Sequence, residues 1–165
     1  MNSCETIKEN KENGILSFSD FTIKTKMVND KEKKEPKFRT PWKTITFDNC
    51  LENVNSNVAV ICGKVSGITI IDFDDEESYD QMRKDFPMLD EFKLVETNNG
   101  FHIYGKYNPD LKTGTNMFEK YAMVDISNDD NIVFAPPTKN TLLDGTVVEY
   151  EDKHGAILEF PTELV

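Results

Sequence analysis

The stretch NVAVICGKVSGITIIDFDDEES, residues 57–78, decides the fold. Two short runs rich in β-branched residues, "NVAVICG" and "GITIIDFD", flank the turn Lys64-Val65-Ser66-Gly67, and Gly67 suggests a tight hairpin between antiparallel neighbours. The second run ends in Asp72-Phe73-Asp74. Side chains alternate along a strand, so the two carboxylates share one face while Ile71 and Phe73 take the other. Two hard oxygen donors on one rigid face suit Mg²⁺ or Mn²⁺, leaving the other coordination positions to water and a phosphate-bearing substrate. Asp75 then reads as the N-cap of a helix running to about Phe86, with Tyr79, Met82 and Phe86 as its buried stripe and Pro87 as its stop.

Working outward, "FKLVET" and "FHIYGKY" predict two strands around the turn Asn98-Asn99-Gly100, and "YAMVDIS" and "NIVFAPP" predict a second pair around Asn128-Asp129-Asp130. A weaker strand, "TVVEYE", follows Pro136-Pro137. Towards the N-terminus, "ILSFSDFTI" offers a first strand or short helix, residues 1–13 read as polar and mobile, and the lysine-rich stretch ending at Pro36 reads as a loop. Trp42, the single tryptophan, is expected to anchor the domain edge. The sum is an α+β domain, mostly antiparallel sheet with one clear helix. Its expected division is a polar, lysine-rich segment over residues 1–40, packing on or flanking a catalytic domain over residues 41–165.

At 165 residues and 38% apolar the chain can bury a core of its own. It has no apolar run of membrane-spanning length and no secretory signal pattern, so a soluble, intracellular protein is expected. Cys4, Cys50 and Cys62 are odd in number and widely spaced, which fits reduced thiols and argues against structural zinc; Cys62, inside an apolar run, reads as core. The net charge of −11 argues against nucleic acid at first sight, but its distribution qualifies this. Between Lys24 and Arg39, seven basic residues face Asp30, Glu32 and Glu35, a net of +4, so the remainder carries −15. Such a run is by itself compatible with a solvated loop.

Three strand-borne features could converge on one site: Asp72 with Asp74; His102, with Phe101 and Ile103 on the opposite face; and Asp125, directly after Ala122-Met123-Val124. Each alone has a structural reading, as a cap, a turn or a packed imidazole. A carboxylate following three apolar residues is nonetheless costly to bury without a cation. Three acidic groups and an imidazole on successive hairpins are what metal-dependent nucleotidyl transfer needs. "CGKVSG" lacks the spacing of a phosphate-binding P-loop, although Lys64 and Ser66 can still line a site. His154 sits in a polar turn and reads as surface. Tyr104, on the His102 face, is the better candidate than Phe101 for stacking on a base.

The order and local wording of "NVAVICGKVSGITIIDFD", "ETNNGFHIYG" and "VDISNDDNIVFAPPT" resemble motifs I, II and III of the archaeo-eukaryotic primase superfamily. The resemblance is to the bifunctional primase-polymerase branch, which forms the N-terminal part of viral and plasmid primase-helicases, and it spans residues 41 to the C-terminus. It implies a palm-like sheet with an RNA-recognition-motif-like core. It implies Asp72, Asp74 and Asp125 as ligands of Mg²⁺ or Mn²⁺, and His102 as a contact to the incoming triphosphate. Ser66, Thr97, Asn99 and Thr138 fall at positions that it places near the nucleotide. Lys24 to Arg39, Lys106 and Lys139 would then supply a basic path for template. The chain departs from the family pattern at Asn98-Asn99, where relatives often read Ser-Gly, at Ser127, where many carry arginine, and at Asp130-Asn131, where a glycine pair is common.

The function so implied is template-directed nucleotidyl transfer from ribo- or deoxynucleoside triphosphates on single-stranded DNA, with a helicase as attached domain or partner and no membrane association. The abrupt end at Leu164-Val165 predicts a cut from a longer primase-helicase. Two other readings stay open: a non-catalytic single-strand-binding or replisome-docking module of the same fold, and a metal-dependent nuclease of similar shape.

Overall fold

The computed structural model describes residues 1–164. In chain order its elements are α1 (Ser3–Glu12), β1 (Ser17–Phe18), β2 (Phe21–Val28), β3 (Lys31–Phe38), β4 (Val58–Ile61), β5 (Ile68–Phe73), α2 (Glu76–Asp85), β6 (Lys93–Glu96), β7 (Phe101–Lys106), β8 (Val124–Ser127), β9 (Ile132–Ala135), β10 (Lys139–Thr141), β11 (Val147–Glu149) and β12 (Glu151–His154). Helices and mostly antiparallel sheet make an α+β protein, as the sequence predicts. The chain forms two compact units, one of Met1–Val60 with Phe134–Tyr150, the other of Ile61–Val133 with Glu151–Val165.

The second unit is built on a five-stranded sheet of order β12-β6-β7-β5-β8. Alternation sends Ile71 and Phe73 of β5, Ile103 of β7, and Val124 and Ile126 of β8 into one core beneath α2. Asp75 caps α2, its carboxylate accepting from the Ser78 N–H at 2.8 Å, and Tyr79 and Met82 turn inward. The Tyr79 ring lies 5.4 Å from Phe73 and 4.5 Å from Phe101, tying helix to sheet. At Gly105 a Cβ would fall inside the Phe160 ring, so only glycine lets this aromatic cover β7.

In the first unit β1 pairs antiparallel with β4, whose residues are all buried, in a sheet of order β1-β4-β9. Phe21 stacks on Phe134 at 5.5 Å and touches Phe18 and Phe38. The hydroxyl of Thr138 pins β4, donating to the Val58 carbonyl at 2.9 Å and accepting from its N–H at 2.8 Å.

Four local expectations are corrected. Residues 3–12 are helical: Asn2 caps α1 by accepting from the Glu5 N–H at 2.9 Å, and Ile7 is fully buried. A polar sequence with a single core-facing residue carries too weak a periodicity to read. The lysine-rich stretch is the ribbon β2–β3, turned at Asn29-Asp30, both of positive φ, as a tight hairpin requires. The turn before β5 exists, with Gly63 bridged to Ile68, but β4 and β5 part into separate sheets. Likewise β8 joins β5 while β9 joins β4, so Asn128-Asp129-Asp130 links sheets rather than paired strands. The hairpin of β6 and β7 forms as expected.

Candidate active site

Strand register assembles the site. Asp72 of β5 lies directly opposite His102 of β7 on one side and Asp125 of β8 on the other. Opposed residues share a face, so the three form one row across three strands, with Asp74 two residues further along. The next row on that face is Tyr104, Ile70 and Ser127. One ligand oxygen from each of Asp72, Asp74 and Asp125 lies within 4.8 Å of the others. Asp74 is exposed and the other two are half-buried. The His102 Nε2 is 3.4 Å from the Asp72 Oδ1, and His102 is 5% exposed.

Three carboxylates this close repel one another unless a cation stands among them. Asp125 registers the strain: burial first, and then the charge of Asp72, push its carboxyl above the usual range. An N–H from the Asn116 backbone, donated at 2.9 Å to the Asp125 Oδ1, works in the opposite sense and fixes the carboxylate's direction. The field of Asp72 also reaches Cys62, whose thiol is held protonated chiefly by burial. The donor set is hard, anionic and accessible at one side, which fits a divalent metal cation.

The turns bordering this face are close-fitted. At Gly100 a Cβ would fall inside the Phe73 carbonyl and 3.1 Å from the Asp74 carbonyl carbon, so the β6–β7 turn presses against the point where Asp74 leaves β5. Thr97 closes that turn, its hydroxyl accepting from the Gly100 N–H at 3.2 Å, and Asn99 is exposed at its tip. Ser66 is buried in the turn before β5. That turn is clamped by Asp129, which accepts from the Lys64 N–H at 3.0 Å and from the Tyr107 hydroxyl at 2.8 Å. Gly63 admits the clamp, since a Cβ there would meet the Asp129 backbone.

The structure thus brings Asp72, Asp74, Asp125 and His102 together on one face. Thr97 and Asn99 belong to the turn beside it. Thr138 lies in the first unit, its hydroxyl engaged by Val58. Sequence reasoning missed Asn116, Asp129 and the packing role of Gly100. Asn116 acts through its backbone and leaves no residue-type signal, whereas Gly100 was read as part of a turn without its close approach to Phe73.

Among the described residues no helix is long and apolar enough to cross a membrane. No curated protein matches the chain significantly. A family profile described as "Bifunctional DNA primase/polymerase, N-terminal" matches residues 19–163, taking in all three carboxylates, His102 and both flanking turns. The chain belongs to the family of bifunctional DNA primase/polymerase N-terminal domains, nucleotidyltransferases of DNA replication.

Proposed function

We propose that the chain carries out metal-dependent, template-directed nucleotidyl transfer, joining ribo- or deoxynucleoside triphosphates on a single-stranded DNA template. The observation that carries this reading is the row His102–Asp72–Asp125 with Asp74 beside it, three carboxylates within 4.8 Å on one sheet face. Asp72, Asp74 and Asp125 would hold Mg²⁺ or Mn²⁺. When bound, the cation supplies charge neutralisation for the phosphates and acidifies the attacking hydroxyl.

The protein's own residues set up that chemistry. The strand ladder fixes Asp72 and Asp125 at directly opposed positions, and the Asn116 N–H orients Asp125. His102, largely shielded from water on the same face, would donate to a phosphate oxygen of the incoming nucleotide. Thr97 and Asn99, in the β6–β7 turn, and Ser66, in the turn before β5, are the neighbouring positions for nucleotide contacts. Thr138 is not used in this reading, because Val58 occupies its hydroxyl. A helicase, as further domain or partner, would supply processivity, and the intracellular site of DNA replication is the place of action.

A second reading, a binding module without catalysis, has one observation in its favour. Ser127 stands on the same face as Asp125 where many relatives carry arginine, so that a cationic phosphate contact is missing. The deciding experiment is incorporation of labelled nucleotides on single-stranded DNA with Mg²⁺ or Mn²⁺, with and without a primer. Wild type is compared with Asp72→Ala and Asp74→Ala. Metal-dependent product lost in both variants supports transfer at this site, and product without primer makes the protein a primase. Absence of product from wild type, with all three proteins binding DNA equally, refutes the catalytic reading.

A further inference from the structure

The β2–β3 ribbon has two unlike faces. In an antiparallel pair, directly opposed residues project to the same side. Phe21 with Phe38, Ile23 with Pro36, Thr25 with Lys34, and, exposed near the turn, Met27 with Glu32 therefore make one face. This side is held down: the Phe21 and Phe38 rings lie 5.7 Å apart, the Thr25 hydroxyl donates to the Thr141 carbonyl at 2.8 Å, and Lys34 bonds the Tyr150 hydroxyl. The other face consists of Thr22 with Lys37, Lys24 with Glu35, Lys26 with Lys33, and Val28 with Lys31.

All of these except Val28 are exposed. Five lysines against one glutamate give this face a net charge of +4 on a chain whose total is −11. Lys26 is bound to Glu35 at 2.5 Å, yet it also stands directly opposite Lys33. Like charges facing each other across a ladder weaken a hairpin. The ribbon therefore keeps an arrangement that disfavours its own folding and that a polyanion would relieve.

We propose that this lysine face is a DNA-binding surface that grips the phosphate backbone without reading bases. The choice of DNA as the polyanion rests on the nucleotidyl-transfer reading above. Charge complementarity argues for phosphate, and eight residues of strand span about 27 Å, enough to meet several phosphates at roughly 3.4 Å of rise each along one strand of a duplex. The face has no aromatic side chain, so it offers no platform for base stacking. Lysine, a flexible point charge, suits backbone contact better than edge recognition.

The test is fluorescence anisotropy of the whole chain in EDTA, without nucleotide, on labelled oligothymidylate and on a mixed-sequence strand of equal length, over about 50 to 200 mM salt. The ribbon variant K24Q/K33Q/K37Q is compared with wild type and with K8Q/K84Q/K112Q, three exposed lysines elsewhere. The expected result is binding by wild type with equal affinity for both strands. In the ribbon variant, affinity should fall at least about tenfold at low salt, and the slope of log K against log salt should flatten by about 2, roughly 0.7 per lost contact. The control variant should bind as wild type does, and the ribbon variant should melt at or above the wild-type temperature. Unchanged affinity and slope in the ribbon variant overturn the proposal, as does a strong preference between the strands, or binding to phosphatidylserine vesicles with none to DNA. Nucleotide incorporation run in parallel separates the two claims. Incorporation with ribbon-independent binding sinks only the ribbon, and ribbon-dependent binding without incorporation sinks only the catalytic reading.

Discussion

Replacing Asp125 by asparagine should make the metal-free protein more stable and, in the same step, insensitive to divalent cations. The carboxylate oxygens of Asp72, Asp74 and Asp125 lie within 4.8 Å of one another. At that separation two unit charges repel by about 0.9 kcal/mol in bulk water and about 3.5 kcal/mol at the effective dielectric of a protein surface. Asp74 is exposed and the Asp72 side chain keeps 27% of its surface, so the lower figure governs. Asp125→Asn removes two such pairs, a gain of about 2 kcal/mol, and the amide oxygen can still accept the Asn116 N–H. For a chain of this size that is a rise of about 4 to 8 °C in Tm. The pH dependence has a definite sign. Because the folded protein holds the Asp125 carboxyl above its usual range, its contribution to stability is complete below the unfolded pKa and is lost as pH rises through the folded pKa. The advantage of the asparagine variant should therefore be present at neutral pH and shrink on acidification. The assay is thermal unfolding of both proteins in EDTA and with excess Mn²⁺, at neutral and acid pH. Wild type should gain stability with Mn²⁺ and the variant should not. A variant no more stable than wild type in EDTA, or a full Mn²⁺ shift in the variant, would refute the reasoning.

Other perturbations separate architecture from chemistry. Thr138→Val leaves both backbone groups of Val58 without their side-chain partner, and urea unfolding should show a loss of about 2 to 4 kcal/mol. Gly100→Ala places a methyl against the Phe73 carbonyl; it should cost about 1 to 3 kcal/mol and depress nucleotide incorporation by displacing Asp74, whereas an unaltered variant would contradict the close fit. His102→Ala should reduce incorporation by about 10² to 10³ while keeping the Mn²⁺-induced rise in Tm, since the three carboxylates remain; loss of the metal response would place His102 among the ligands instead.

What could be read from the sequence was what is encoded locally. The i, i+2 spacing of Asp72 and Asp74, the Asp75 cap and the Asn98-Asn99-Gly100 turn each depend on a few consecutive residues. All three stand in the structure as expected. Partner choice between strands was not legible, because β4 and β5 have similar apolar content and nothing local tells which will pair with β1 and which with β7. The turns after β4 and β8 imitate hairpins but redirect the chain into another sheet. The β2–β3 ribbon was hidden by its own composition, since lysine and glutamate fill six of the eight β3 positions and only Pro36 and Phe38 mark its inward face. Within the site the carboxylates were legible as residue types, whereas their orientation by the Asn116 N–H and by the crowding at Gly100 comes from distant backbone.

The two compact units are sewn from interrupted segments, with the chain passing from one to the other after Val60, Val133 and Tyr150. On the ribosome this imposes a late deadline. When Val133 emerges, the strands bearing Asp72, His102 and Asp125 have all been made, yet the first unit still lacks 134–150 and the second still lacks β12. Domains generally fold as whole units during synthesis, so a nascent chain must shield two unfinished cores until residues 134–154 have emerged. Stop codons or proteolytic nicks anywhere before that point should yield insoluble fragments in place of a smaller working enzyme.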